Sequence, residues 1–167
     1  MQGQNDTQIS TQLKKMFNIA LYQPDIPQNT AAIIRLCSCF DTKLEIIEPC
    51  GFHLNDKRLK RVVMDYLDLS KIIIYKSYEK FLMKKKNSRV ILMTTKAKKK
   101  YYDFKFKPND TILFGRESEG APKIVHDSSQ QKLKIPLKNN KRSLNISTAV
   151  AITLAEAMKQ NLFFEND

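Results

Sequence analysis

The chain has 167 residues, 42% of them hydrophobic, which is about the length of one domain and enough to bury a core. Lys and Arg number 29 against 17 Asp and Glu, a formal charge of +12, the electrostatic footprint of a protein that meets phosphates. No apolar run approaches the roughly 18 residues of a membrane span, and the polar opening "MQGQNDTQISTQLKK" lacks the form of a signal peptide, so a soluble, cytoplasmic protein is expected.

Those first fifteen residues have no hydrophobic period. They are expected to be a flexible extension, with residues 16–167 forming a single domain. Apolar runs that read as buried strands follow at 17–22, 43–49, 71–75, 89–95, 111–115 and 132–137. Helix-like segments lie between most of them, at 28–40, 56–67, 77–86, 118–127 and 145–161. This alternation predicts an α/β domain with a mainly parallel six-stranded sheet and helices on both faces. Basic clusters at 56–61, 83–89, 95–100 and 138–142 spread the charge along the chain, so no single tail accounts for it. Cys37, Cys39 and Cys50 show no C-x-x-C spacing, and only His53 and His126 stand beside them. Neither a structural zinc, nor any other metal site, nor a disulfide framework is expected; the reading is small buried thiols.

In open parallel sheets ligands sit beyond the carboxyl ends of the strands. The segments after the strands are therefore the informative ones: "QPDIPQN", "EPCGFH", "TTKAK", "GRESEGAP" and "LKNNKRSLN". The chain has only four glycines, and two of them, Gly115 and Gly120, bracket "GRESEG". Glycine used so sparingly marks places where a Cβ is not tolerated, either in a plain strand-to-helix turn or where backbone approaches a ligand. Neither G-x-G-x-x-G nor a P-loop is present.

Taken together, "NTAAIIRLC" (29–37), "FGRESEGAP" (114–122) and "IPLKNNKRSLNISTAVA" (135–151) resemble the three ordered motifs of the SPOUT class of RNA methyltransferases. With "IEPCGFHLNDKRLKR" (47–61) and "LMTTK" (92–96) the resemblance narrows to the TrmL/YibK type, the tRNA 2′-O-methyltransferases of the wobble nucleotide. It extends from Met16 to about Leu162.

The resemblance implies a sheet whose C-terminal segment forms a trefoil knot, a homodimer, and S-adenosyl-L-methionine held at the knot. The implied substrate is tRNA, methylated on the ribose of a wobble cytidine or modified uridine, with leucine isoacceptors expected. The implied cofactor residues are Met93, Thr94, Gly115, Glu117, Ile135, Leu137, Ser143 and Leu144. An adenine needs apolar walls and a few backbone partners, which such loops provide. The helix at 145–161 is either packed in the subunit interface, as the resemblance implies, or an ordinary core helix capped by Asn145.

Methyl transfer to a ribose hydroxyl is an in-line displacement, requiring alignment of the 2′-oxygen and removal of its proton. Neither histidine lies in a matching motif. The resemblance implies catalytic roles for Arg35, Asn29, Ser143 and Asn145. A guanidinium is a poor base, so Arg35 either deprotonates the hydroxyl in an unusual site or stays cationic and stabilises the developing oxyanion. Asn29 either positions the ribose or caps a helix. Glu117 is expected to anchor a backbone N–H or Asn29 rather than serve as the base. Ala31 and Ala32 depart from the Gly-Asn common in the family. Arg35, Lys57, Arg58, Lys60, Arg61, Lys138, Lys141 and Arg142 are the expected RNA contacts. The alternatives are a SPOUT enzyme for another tRNA or ribosomal RNA site, and a non-catalytic RNA-binding protein of the same fold.

Overall fold

The computed structural model describes residues 17–57, 59–61, 72–138 and 141–161. The expected extension at 1–15, the end of the expected helix at 56–67, and Arg58 lie outside the described residues.

Seven strands, β1 (Asn18–Tyr22), β2 (Lys43–Ile47), β3 (Ile72–Tyr75), β4 (Val90–Met93), β5 (Lys99–Lys100), β6 (Thr111–Phe114) and β7 (Gln131–Lys134), form one sheet in the order β3-β2-β1-β6-β4-β7-β5. Every pairing is parallel. Among the described residues, the α-helices with both ends described are α1 (Pro27–Cys39), α2 (Tyr78–Lys84), α3 (Lys123–Ser128) and α4 (Ile146–Gln160).

Alternation along the central strands explains why they read as continuous apolar runs. Ile19, Leu21, Ile91, Met93, Ile112 and Phe114 face a core completed by Ile33, Ile34 and Cys37 of α1 and by Val150, Leu154 and Ala157 of α4. Ala20, Leu92 and Leu113 point the other way, onto Tyr78 and Phe81 of α2 and Val125 of α3. Both faces are covered, so neither set can be polar. Burial pushes the Cys37 thiol up to about 12, whereas Cys39 is exposed and Cys50 half-buried, so only one of the three thiols is fully buried.

Four expectations are corrected. The sheet has a seventh strand, β5, whose two residues lie inside a lysine run that carries no apolar signal. The last core strand ends at Lys134 rather than at 137, because Pro136 has no N–H to donate to a ladder. Helix α3 starts at Lys123 rather than at 118, because 116–120 close a turn through Gly120 N–H donating to the Arg116 carbonyl at 2.8 Å. The apolar β3 is a sheet edge, with Ile73 and Ile74 38% and 45% exposed.

One buried ion pair ties α2's end to the sheet. Lys85 Nζ lies 2.5 Å from Glu45 Oε1, with side-chain exposures of 9% and 3%. Burial holds the Glu45 carboxyl above its usual range, and Lys85 opposes that. Lys85→Ala is therefore expected to cost about 3–5 kcal/mol by urea unfolding at pH 7. Because the carboxyl's folded pKa is raised, the folded state holds the proton more tightly. Stability of the variant is thus fullest below the unfolded carboxylate pKa and falls as pH rises through the folded one, so its deficit shrinks towards pH 4.

Candidate functional site

The loops beyond β4 and β6 and the segment between β7 and α4 meet at the carboxyl ends of the strands. They enclose a cavity of about 500 Å³ whose walls include Asn29, Met93, Thr94, Gly115, Glu117, Ser143, Leu144 and Asn145. A contiguous apolar recess of about 100 Å³ shares Met93, Thr94, Ser143 and Leu144 and adds Ile135 and Leu137. Of the expected positions, the ten just named line these recesses, whereas Arg35, Lys57, Lys60, Arg61, Lys138, Lys141 and Arg142 line neither.

Local chemistry explains the arrangement. Helix α1 opens with Pro27, whose fixed φ suits a first helical position. Its N-cap is Ile26, without a side-chain cap, and Asn29 is the third helical residue; the reading of Asn29 as a cap is corrected. Freed from capping, the Asn29 amide donates to Glu117 Oε1 at 3.4 Å, and its Oδ1 accepts from Asn145 Nδ2 at 2.9 Å. Asn145 is the α4 N-cap, accepting from Ser147 N–H at 2.9 Å. Three segments distant in sequence are thus joined by side-chain amides and one carboxylate.

Asp25 completes the network, and sequence reasoning missed it. Its backbone N–H donates to Glu117 Oε2 at 3.0 Å, while its carboxylate accepts from Glu117 N–H at 3.2 Å and from the Ser118 hydroxyl. The Glu117 carboxyl is held above its usual range, first by burial and then by Asp25. Asp25 is held below its own, first by the Glu117 carboxyl, with Ser118 and backbone N–H groups contributing. The only signal was an acid at the start of "DIPQN", four residues before Asn29.

Gly115 has a different reason for being glycine from the one first considered. A Cβ there would lie 2.5 Å from the Gly120 carbonyl carbon, so the close approach is to the chain's own loop. Ile26, Lys96 and His126 also line the larger cavity and went unread. Burial, then Lys96 and Lys132, hold His126 below the usual imidazole range. Arg35 is exposed on α1. It follows Asn29 by six residues, about 9 Å along the helix and about 120° around it by the shorter way, and it lines neither recess.

Glu117→Ala removes the acceptor for two donors. The expected result is a loss of about 1–3 kcal/mol, read as a fall in Tm of roughly 2–4 °C per kcal/mol. Glu117→Gln, which retains one acceptor oxygen, should lose less.

A sequence profile of the SpoU rRNA Methylase family matches residues 16–155. The chain belongs to this family. Its SpoU-family relatives include a tRNA (cytidine(34)-2′-O)-methyltransferase of Beijerinckia indica, 43% identical over 145 residues that cover 85% of this chain and 90% of that protein. The Escherichia coli K12 protein of the same name is 38% identical over 147 residues, covering 87% and 94%. A solved structure presented as "structural insights into the 2-OH methylation of C/U34 on tRNA" superposes with a TM-score of 0.83 at 34% identity, covering 88% of this chain and 97% of that one. The α/β fold with a parallel sheet is that of the SPOUT methyltransferases. Among the described residues no helix is long and apolar enough to cross a membrane, and no His/Cys/Asp/Glu group suits a metal.

Proposed function

We propose that the protein transfers a methyl group from S-adenosyl-L-methionine to the ribose 2′-oxygen of the wobble nucleotide of tRNA. The observation that carries this reading is the pair of contiguous recesses at the family's three motifs, beside relatives of nearly the same length that are named for that reaction.

The walls suit the cofactor. Ile135, Leu137 and Leu144 give the smaller recess apolar sides for a flat heterocycle, and the larger recess is more polar, with Glu117 and Glu119 facing a cationic group. When bound, the cofactor supplies an electrophilic methyl on a sulfonium. Asn145, held by Asn29, and Ser143 would orient the ribose, while Met93, Thr94 and Gly115 close the inner wall. Glu117 serves as the anchor of the loop and of Asn29, not as the base.

Arg35 lies outside the cavity of its own chain, so the reading includes a homodimer in which a second copy presents its Arg35 to this cavity. There the guanidinium would stay cationic and stabilise charge growing on the 2′-oxygen; as the new C–O bond forms and the methyl–sulfur bond breaks, S-adenosylhomocysteine leaves as a neutral thioether and the hydroxyl proton passes to solvent. Lys57, Arg58, Arg61, Lys141 and Arg142 supply phosphate contacts in the same reading, and the cytoplasm, where tRNA is found, is its compartment. Leucine isoacceptors are the expected substrates.

Calorimetry tests the cofactor assignment. One S-adenosylmethionine per chain should bind saturably, and Leu144→Arg, which fills the recess with a cation, should abolish binding. Absence of saturable binding to the wild type would overturn the proposal.

A further inference from the structure

The lysine run at 95–100 was read only as charge, and neither cavity absorbs most of it. Thr95 and Lys96 line the larger cavity. From there the chain turns tightly, with Ala97 N–H donating to the Thr94 carbonyl at 3.2 Å, and runs out as β5 along the sheet's edge, paired through Lys99 with Leu133 and through Lys100 with Lys134. A track of cations therefore leads from the rim of the site to the border of the fold.

Two features separate this strip from an ordinary solvated face. Four lysines elsewhere pair with carboxylates: Lys76 with Glu48, Lys85 with Glu45, Lys123 with Asp127 and Lys159 with Glu156. Among the described residues no carboxylate lies in ion-pair contact with Lys96, Lys98, Lys99, Lys100, Lys105 or Lys107, and the strip's single acid is Asp103. The second feature is aromatic. Tyr102 is 46% exposed, with its ring 5.6 Å from Lys100 Nζ and edge-on to Tyr101. Exposed rings among unpaired cations are the means by which proteins hold RNA: phosphates meet the ammonium groups and an unstacked base lies on the ring.

We propose that Lys96, Lys98, Lys100 and Tyr102 form a second RNA-binding surface, which holds the tRNA backbone as it leaves the methylation cavity, with an unpaired base stacked on Tyr102. The inference rests on the tRNA reading of the cavity and extends it. Lys96 sits at the junction, and the strip beyond it guides the strand along the sheet edge.

The test uses the full-length protein in steady-state methylation of tRNA over a range of salt. Lys98→Gln with Lys100→Gln should raise KM for tRNA roughly tenfold and flatten its salt dependence by about 0.7–0.9 per lysine removed. Tyr102→Ala should raise KM without changing that slope. Cofactor affinity, kcat and Tm should hold in all of them. Lys80→Gln with Lys84→Gln on α2, an equal loss of charge elsewhere, should leave KM nearly unchanged. Equal effects from both lysine pairs would mean that only net charge matters and would overturn the surface, as would no effect from either. A wild type that methylates no tRNA would overturn the underlying reading instead.

Discussion

Arg35→Ala is expected to lower methyl transfer to tRNA by about 10²–10⁴-fold, the range for removing a group that acts on the transferred proton or the charge it leaves. Cofactor binding should change far less than turnover, since Arg35 lines neither recess of its own chain and, in the dimer reading, acts at the substrate hydroxyl. Arg35→Lys separates the roles: it keeps the positive charge but loses the planar fork, so residual activity well above that of the alanine variant indicates charge stabilisation. The trans arrangement has its own signature. Mixing Arg35→Ala with the cofactor-binding variant Leu144→Arg, after reversible subunit exchange, should restore activity, because one mixed site is whole. Measured rates that never exceed the sum of the two variants would contradict it.

Gly115→Ala should be nearly as damaging by a different route. The new methyl would sit 2.5 Å from the Gly120 carbonyl carbon and 2.9 Å from Ala121 Cα, both backbone atoms that no rotamer change can move. The loop must shift, at about 1–3 kcal/mol. It carries Glu117, and through Glu117 the positions of Asn29 and Asn145, so displacement by about 1 Å should cost about 10²-fold in turnover. Gly120→Ala is the control. A Cβ there meets nothing within 4 Å, although φ is +71°; the cost should be about 1 kcal/mol of left-handed strain, seen in Tm more than in turnover. Equal turnover losses in the two variants would show that the loop responds to backbone strain rather than to the contact at Gly115.

The strands of the central sheet were legible because both faces are covered and Val, Ile, Leu and Phe had to fill them. β5 was not, because a two-residue edge strand held by β7 needs no apolar side chain and lay hidden among lysines. The site was legible only as three motifs in order. Asn29 was open between positioning the ribose and capping a helix, and the second is excluded because Pro27 starts the helix two residues earlier. Asp25 could not be read at all: its partner Glu117 lies 92 residues away, and its role depends on two loops meeting in space. Arg35 was legible as a residue of the first motif; that it lines neither recess of its own chain was not, because this depends on how α1 is turned against the sheet.

The central claim is the reaction itself. Labelled methyl from S-adenosylmethionine should be transferred to unmodified tRNA, and nuclease digestion followed by mass spectrometry should find it as one 2′-O-methyl group on the wobble nucleotide, absent with Arg35→Ala. Label on a base, at another nucleotide, or undiminished in the Arg35 variant would contradict the account.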